Sequence, residues 1–180
     1  MTPDQLAKSG SEHAHQVAFF AWCAFAKNFG FIAAWLWADG KLEGVVSKPE
    51  NVVPALEWIH AIPNGGTRGD DEKSRAVRGG ALKAEGVRQG VADIFLPWPL
   101  YERIITETDM EMTVAKWCGL YIEMKKPSLK PKKEGSKGGV SDEQKDFGEY
   151  AKSNGYGWIV CYSWREAAKA VQSYIEWGTE

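Results

Sequence analysis

The sequence predicts an α/β fold with a mixed central sheet flanked by helices, and two patterns carry this prediction. Apolar runs of strand length, bounded by Gly, Pro and Asn, recur along the 180 residues. Longer stretches with helical periodicity separate them. Strands that alternate with helices pack as one sheet covered by helices. Because no internal repeat or change of composition divides the chain, we expect a single domain over residues 1–180.

The composition is typical of a folded domain. Hydrophobic residues make up 44% of the chain, nine residues are Trp, and the formal net charge is −2. Nucleic-acid-binding domains are usually basic, so any contact with nucleic acid must depend on local patches. Cys23, Cys118 and Cys161 lie far apart in apolar surroundings, which predicts buried, reduced thiols.

No pattern in the sequence predicts export or a membrane span. Apolar runs such as Phe31 to Trp37 are much shorter than the roughly 18 residues that a spanning helix needs. The first residues lack the pattern of a signal peptide. We therefore expect a cytoplasmic protein that does not enter a membrane.

The first long element is a helix that begins at Ser11 and ends near Phe29, where Gly30 stops it. Its apolar stripe is predicted to consist of Val17, Phe20, Ala21, Ala24 and Phe25. Glu12 and Gln16 lie one turn apart, off the centre of that stripe, so both can face one site. An acid at a helix N-terminus is also explained by the helix dipole alone.

The next segments are harder to assign. A Trp-rich piece, 31–37, leads into a loop punctuated by Gly and Pro, and its role is not evident. Leu56 to Ile62 is predicted to be a strand that ends in a turn at 63–66. Residues 67–88 are polar with charges of both signs, and a helix is expected over 74–85. This run is either a solvated face or a phosphate contact.

Two apolar strands each carry acidic residues. Asp93 interrupts the first, 90–97, and Glu123 and Lys125 lie near the end of the second, 119–126. Period two directs Glu123 and Lys125 to one face and Ile122 and Met124 to the other. A charged pair at the end of an apolar strand is costly to bury, so we expect something there that compensates it.

A metal ion with a water is one such compensation. Carboxylates on neighbouring strands form a hard-oxygen site of the kind that Mg²⁺ or Mn²⁺ prefers. A lysine beside them could orient or deprotonate an attacking water, or neutralise charge that builds on phosphorus. The combination indicates phosphodiester hydrolysis. Phosphate-loop, G-x-S-x-G and H-R-D motifs are absent from the sequence, which argues against ATP-driven and acyl-transfer chemistry.

The remaining elements complete the predicted sheet. Residues 98–117 form an acidic excursion, expected to be a hairpin, and 127–139 form a flexible basic loop. That loop could hold a nucleic-acid backbone or act only as a linker. Ser141 to Gln144 has capping-box spacing ahead of a helix to about Ser153. A strand over 156–162 and a last helix, Trp164 to Trp177, follow.

The order of these motifs resembles that of the VRR-NUC domain, a nuclease branch of the PD-(D/E)XK superfamily. The motifs are Glu12 with Gln16, Ile62-Pro63-Asn64-Gly65, Leu82 to Val87 leading into Gly90-Val91-Ala92-Asp93, Gly119 to Lys125, Ser141 to Gln144, and Gly155-Tyr156. The resemblance covers about Ser11 to Ile175. It implies a restriction-endonuclease-like core in a stand-alone, phage-type member. Segments 33–56 and 100–116 look like insertions into that core, and Ala92 stands where the superfamily often has proline.

The resemblance also implies roles for the site residues. Asp93, Glu123 and the backbone carbonyl of Met124 would bind Mg²⁺ or Mn²⁺. Lys125 would position or activate water. Glu12 would complete the acidic cluster, directly or through a water, and Gln144 would support the site from its helix.

The activity that the resemblance implies is metal-dependent, structure-specific cleavage of DNA. A homodimer that cuts four-way junctions, in the cytoplasm of a bacterium or phage host, is the expectation. Backbone contacts are expected from Gln16, Asn64, Arg68, Arg75, Arg78, Lys83, Lys126, Lys130, Lys132 and Lys133. A catalytically silent nucleic-acid-binding module, a flap or restriction-like nuclease, and a ribonuclease are the alternatives.

Overall fold

The computed structural model describes residues 1–44, 52–63, 77, 80–133 and 138–177. The helices are α1 (Pro3–Leu6), α2 (Glu12–Ala38), α3 (Asp142–Ser153) and α4 (Trp164–Trp177), and residues 80–84 are also helical. The strands are β1 (His60–Ala61), β2 (Ile94–Leu96), β3 (Leu100–Ile105), β4 (Glu111–Trp117), β5 (Leu120–Met124) and β6 (Gly157–Cys161). Short 3₁₀ turns cover Ala7–Ser9, Pro54–Leu56 and Pro127–Leu129.

Within the described residues, β1, β2, β5 and β6 form one sheet in that order. The β1–β2 and β2–β5 pairs are antiparallel and β5–β6 is parallel, with α3 as the crossover, which confirms the predicted mixed sheet. Apolar residues of β2 and β5 project to one face, where α2 and α4 cover them. The fully buried side chains of this core include Ile94, Leu96, Ile122, Met124, Trp22 and Trp164. Helix α3 packs on the opposite face.

Helix α2 reverses its direction at Gly30. This glycine has φ 83° and ψ 165°, a non-helical conformation that favours glycine. On a straight helix Trp22 and Trp35 would be about 20 Å apart. Their ring centroids are 5.0 Å apart, so the second half of α2 folds back against the first. Gly30 therefore ends the first half as predicted.

The fold-back gives the Trp-rich segment its role. Trp35 packs between Trp22 and Trp164, and Ala34 and Ala38 are buried. The described part of the predicted insertion at 33–56 thus contributes to the core. The β3–β4 hairpin, residues 100–117, spans the second predicted insertion, 100–116, and is the hairpin expected for this segment.

The predicted apolar stripe of α2 was wrong in its phase. Val17 is 41% exposed and Ala24 is exposed. The side chains that face the core are those of His15, Ala18, Phe19, Trp22, Cys23 and Ala26. Apolar residues occur all round this helix, so periodicity alone does not determine which face packs against the sheet.

By length and composition, Glu12–Ala38 is apolar enough to cross a membrane, contrary to the expectation drawn from the shorter apolar runs. Core helices of folded domains meet the same criterion. In this fold Phe19 and Trp22 are fully buried, and the helix is broken at Gly30. These features are those of a core helix.

Two further sequence expectations need correction. The predicted strand over Leu56 to Ile62 is a strand only at His60–Ala61, because Pro54 starts a 3₁₀ turn that buries Ala55 and Leu56. Cys23 and Cys161 are buried free thiols, but Cys118 is exposed at the turn between β4 and β5. Of the helix predicted over 74–85, residues 80–84 are helical, and most of the remainder lies outside the described residues.

Candidate active site

The candidate active site lies at the edge of the sheet where β2 begins and β5 ends. Ile94 pairs with Ile122 across these antiparallel strands. One residue further, the same register sets Asp93 opposite Glu123, and alternation turns both away from the apolar core. Oδ2 of Asp93 accepts a hydrogen bond of 2.8 Å from the backbone N–H of Met124. Sheet pairing therefore brings the Asp93 and Glu-x-Lys motifs together.

Glu123 is the central buried group of this edge, with 1% of its surface exposed. Its Oε1 accepts hydrogen bonds from Nζ of Lys125, at 2.7 Å, and from Nε2 of Gln144. Its Oε2 is buried and has no hydrogen-bond partner among the described residues. A buried carboxylate oxygen without a partner is costly, so the site is incomplete without a donor or a cation.

The electrostatics of the site support the same conclusion. Burial and then the negative charge of Asp93 raise the pKa of Glu123 to about 7, against the hydrogen bond and positive charge of Lys125. Lys125 is itself 8% exposed, and its backbone N–H donates to the carbonyl of Cys161 at 2.9 Å. Both members of the pair are thus fixed in a buried position that disfavours the Glu123 carboxylate in its ionised form.

Glu12 is the first helical residue of α2, capped by the side chain of Ser11. Burial raises the pKa of Glu12, as does the charge of Asp93, while Lys125 and Lys126 lower it. Glu12 is therefore close enough to the site for the charges there to shift its pKa. Gln16 lies one turn further along α2 and is half-buried.

Gln144 has two structural roles, and they are compatible. Its Oε1 accepts from the N–H of Ser141 at 3.0 Å, and Ser141 Oγ accepts from the N–H of Gln144, which completes the predicted capping box. Its Nε2 donates to Glu123. The cap fixes the side chain in the orientation that reaches the site.

Gly90 allows the N-terminal end of α3 to approach the strand that carries Asp93. A Cβ at Gly90 would lie 2.7 Å from the backbone oxygen of Glu143, and φ at this residue is +89°. Only glycine satisfies both conditions without displacement. The Gly90 contact therefore sets the spacing between the β2 strand and the start of α3.

The fold is restriction-endonuclease-like. A solved structure described as a VRR_NUC domain protein is similar to this chain with a TM-score of 0.50 and 17% sequence identity, over 92% of this chain and 88% of that one. Comparison with protein-family models gives no match. Comparison with curated proteins also gives none. The likeness is therefore one of fold, and it agrees with the fold expected from the order of the sequence motifs.

The donor set at the sheet edge fits a hard divalent cation. Asp93, Glu123 and the carbonyl of Met124 are oxygen donors, and Mg²⁺ usually takes one or two carboxylates with waters. The partnerless Oε2 of Glu123 is the observation that favours a cation. Among the described residues, however, no three His, Cys, Asp or Glu side chains form a group that could hold a metal ion. Glu12 thus does not complete a three-acid cluster with Asp93 and Glu123 at ligand distance. The shift in the pKa of Glu12 indicates that it and the site influence each other electrostatically.

The structure describes only some of the residues that the sequence predicts to contact a DNA backbone. Asn64, Arg68, Arg75 and Arg78 lie outside the described residues. Lys83 is exposed on the helical stretch at 80–84, and Lys126, Lys130, Lys132 and Lys133 are exposed on the loop that follows β5. Lys130 is ion-paired with Glu166 at 2.9 Å, a partner that sequence reasoning missed because 36 residues separate the two.

A large cleft of about 650 Å³ lies away from this site. It is lined mainly by apolar side chains at the base of the hairpin, at β6 and on α4, among them Leu100, Trp117, Ile159, Tyr174 and Trp177. Ile159 projects to the face opposite Glu123. The chemistry that Glu123 and Lys125 support therefore belongs to the sheet edge and not to this cleft.

Proposed function

We propose that the protein is a metal-dependent endonuclease that hydrolyses phosphodiester bonds in branched DNA, such as four-way junctions, during replication, recombination or repair. One observation carries the proposal: the buried Glu123–Lys125 pair beside Asp93, in which Oε2 of Glu123 has no hydrogen-bond partner among the residues that the structure describes. The restriction-endonuclease-like fold supports it.

The reaction is an in-line displacement at phosphorus. The oxygen of a water molecule bonds to phosphorus, the bond from phosphorus to the 3′ oxygen breaks, and the proton that water loses is balanced by protonation of that leaving oxygen. The products carry 5′-phosphate and 3′-hydroxyl ends. Asp93, Glu123 and the carbonyl of Met124 would hold Mg²⁺ or Mn²⁺, which supplies Lewis-acid stabilisation of the phosphoryl oxygens.

The residues of the chain divide the remaining work. Lys125, fixed by Glu123, presents positive charge where negative charge builds on the phosphoryl group, and it positions the attacking water. Gln144 donates to the same oxygen of Glu123 as Lys125 does, so the carboxylate keeps one orientation. Glu12 adds negative charge that favours cations at the same edge. This arrangement pre-positions the reacting groups, which is the main contribution that a protein makes to phosphoryl transfer.

A homodimer is the oligomer that matches a branched substrate. A four-way junction offers two equivalent scissile strands, and a two-fold dimer offers two equivalent sites. We propose a homodimer in solution, in a bacterial or phage-host cytoplasm. Sedimentation equilibrium tests the dimer, and a monomer at assay concentration would refute it.

The experiment that tests the activity compares end-labelled four-way junction, flap, linear duplex and single-stranded DNA, with Mg²⁺, Mn²⁺ or EDTA. The matched variant is Lys125→Ala. Metal-dependent cleavage of the junction at paired positions, at least 100-fold slower in the variant, is expected. Preference for flaps would keep the nuclease and change its substrate. Intact DNA in every reaction, with retarded bands on a native gel, would favour the nucleic-acid-binding module instead.

A further inference from the structure

Glu166, in the first turn of α4, links two segments that are distant in sequence. Its Oε1 accepts a hydrogen bond of 2.9 Å from Nζ of Lys130, and its Oε2 accepts one of 3.0 Å from the backbone N–H of Tyr162. Lys130 belongs to the basic loop that follows β5, whereas Tyr162 directly follows β6. One carboxylate therefore fastens the loop to the end of the neighbouring strand.

Close packing supports the same attachment. A Cβ at Gly138 would lie 2.1 Å from the hydroxyl of Tyr162, and a Cβ at Gly139 would lie 2.6 Å from Cδ1 of Leu129. Both glycines have positive φ, of +56° and +74°. The two described parts of the loop, 126–133 and 138–140, thus fold against each other and against Tyr162.

The attached loop lies beside the candidate active site. The N–H of Lys125 is bonded to the carbonyl of Cys161, so Tyr162 comes next to Lys125 at the same sheet edge. The positive charges of Lys125 and Lys130 both act on the Tyr162 hydroxyl, although burial is the largest influence and raises the pKa of Tyr162. The loop therefore places Lys130 near Tyr162, and Lys126, whose charge lowers the pKa of Glu12, directly follows Lys125.

The lysines of this loop fall into two groups. Lys130 is ion-paired with Glu166, which raises the pKa of Lys130. Lys126, Lys132 and Lys133 are exposed and form no ion pair with an acid in the part of the chain that the structure describes. The charge of Lys130 is used within the protein, while the other three are available to a ligand.

We propose that Glu166 is a positioning residue that docks the basic loop through Lys130, so that Lys126, Lys132 and Lys133 form a fixed phosphate-binding surface beside Glu123 and Lys125. This inference rests on the proposed DNA-binding function. The sequence predicted that Lys130 contacts the DNA backbone, whereas in this inference Lys130 anchors the loop. A fixed array of charges binds a phosphate backbone more tightly than the same charges on a mobile loop, because less conformational entropy is lost on binding.

Glu166→Gln gives a test with opposite outcomes for the two roles of Lys130. The glutamine can still accept from Tyr162, but it no longer balances the Lys130 charge. In the first case Glu166 only neutralises Lys130, which could otherwise contact a DNA phosphate. Its replacement then frees Lys130, tightens DNA binding and steepens the slope of log binding constant against log salt concentration by about 0.9. If Glu166 docks the loop, the variant binds DNA about tenfold more weakly with a shallower slope, since phosphate contacts are lost.

The measurement is fluorescence anisotropy of a labelled four-way junction in EDTA over a series of NaCl concentrations. Glu102→Gln is the matched control, because it removes one negative charge from a 3.1 Å ion pair with Lys116 on the hairpin. Lys130→Arg keeps the pair and should bind as the wild type does, whereas Lys130→Gln should resemble Glu166→Gln. Thermal melting of each variant checks that the domain remains folded.

Loop docking has a second readout that needs no DNA. Lys126 and Lys130 precede proline, so trypsin is expected to cut the described part of the loop after Lys132 or Lys133. Cleavage there should be several times faster in Glu166→Gln than in wild type, because docking protects against local opening. Equal cleavage, or unchanged or tighter DNA binding by the variant, overturns this inference alone. A wild type that does not bind DNA overturns the proposed function and this inference with it.

Discussion

At the scale of single residues, the buried position of Glu123 lowers the stability of the folded protein when this carboxylate is ionised. Its pKa is raised to about 7 in the folded protein, against an unfolded value near 4.5. A raised pKa contributes stability that is complete below the unfolded value and is lost as the pH rises towards the folded one. In EDTA, the wild type should therefore lose about 3 kcal/mol of stability relative to Glu123→Gln between pH 4.5 and pH 8. Urea denaturation of both proteins across this range measures the difference, and a pH-independent difference would contradict it.

His15 predicts a pH dependence of the opposite sign. Its Nδ1 faces the backbone N–H of Trp164 at 3.3 Å as the acceptor, in a buried position. Burial lowers the pKa of His15, and the charge of Asp4 opposes this only in part. The unfolded chain then binds a proton more readily, so stability is present above pH 6.5 and lost as the pH falls below it.

The His15 effect is isolated by comparison with His15→Gln, which keeps a neutral acceptor. Between pH 7.5 and pH 5 the melting temperature of the wild type should fall by about 2–4 °C more than that of the variant. His13→Gln, two residues away and exposed, is the control and should follow the wild type. Parallel curves for wild type and His15→Gln would show that protonation of His15 does not limit acid stability.

At the scale of elements, the spacing between β2 and α3 depends on Gly90. Gly86 and Gly90 share a φ of +89°, but a Cβ at Gly86 meets nothing within 4 Å, whereas one at Gly90 meets the backbone of Glu143 at 2.7 Å. Gly86→Ala should cost only the strain of a left-handed residue, about 1–2 kcal/mol. Gly90→Ala should cost more and should also impair DNA cleavage, because it separates Asp93 from the helix that carries Gln144. Chemical denaturation and cleavage rates of the two variants test this, and equal effects would refute it.

At the scale of the whole molecule, local patterns predicted more than long-range ones did. The period-two placement of Glu123 and Lys125 and the cap at Ser141 depend on neighbours in sequence, and the structure has both. The reversal at Gly30 was recognised only as a helix end, because a glycine stops a helix whether the chain leaves or folds back. The Glu166–Lys130 pair joins a loop to a helix across 36 residues, and no periodicity signals such a contact. The phase of α2 was mistaken because both of its faces are apolar.

The binding of a cation is the last prediction, and it concerns the whole domain because a ligand of the native state stabilises all of it. Mn²⁺ or Mg²⁺ at about 100 times its dissociation constant should add about 2.7 kcal/mol. For a chain of this length that is a rise of about 5–10 °C in melting temperature.

Asp93→Ala should abolish the rise, since it removes one of two carboxylates, whereas Glu107→Ala, at an exposed hairpin turn, should retain it. Differential scanning calorimetry with metal and with EDTA makes the comparison independent of any cleavage assay. An equal rise in Asp93→Ala would place the cation elsewhere. No rise in the wild type would contradict the binding of a cation beside the buried Oε2 of Glu123.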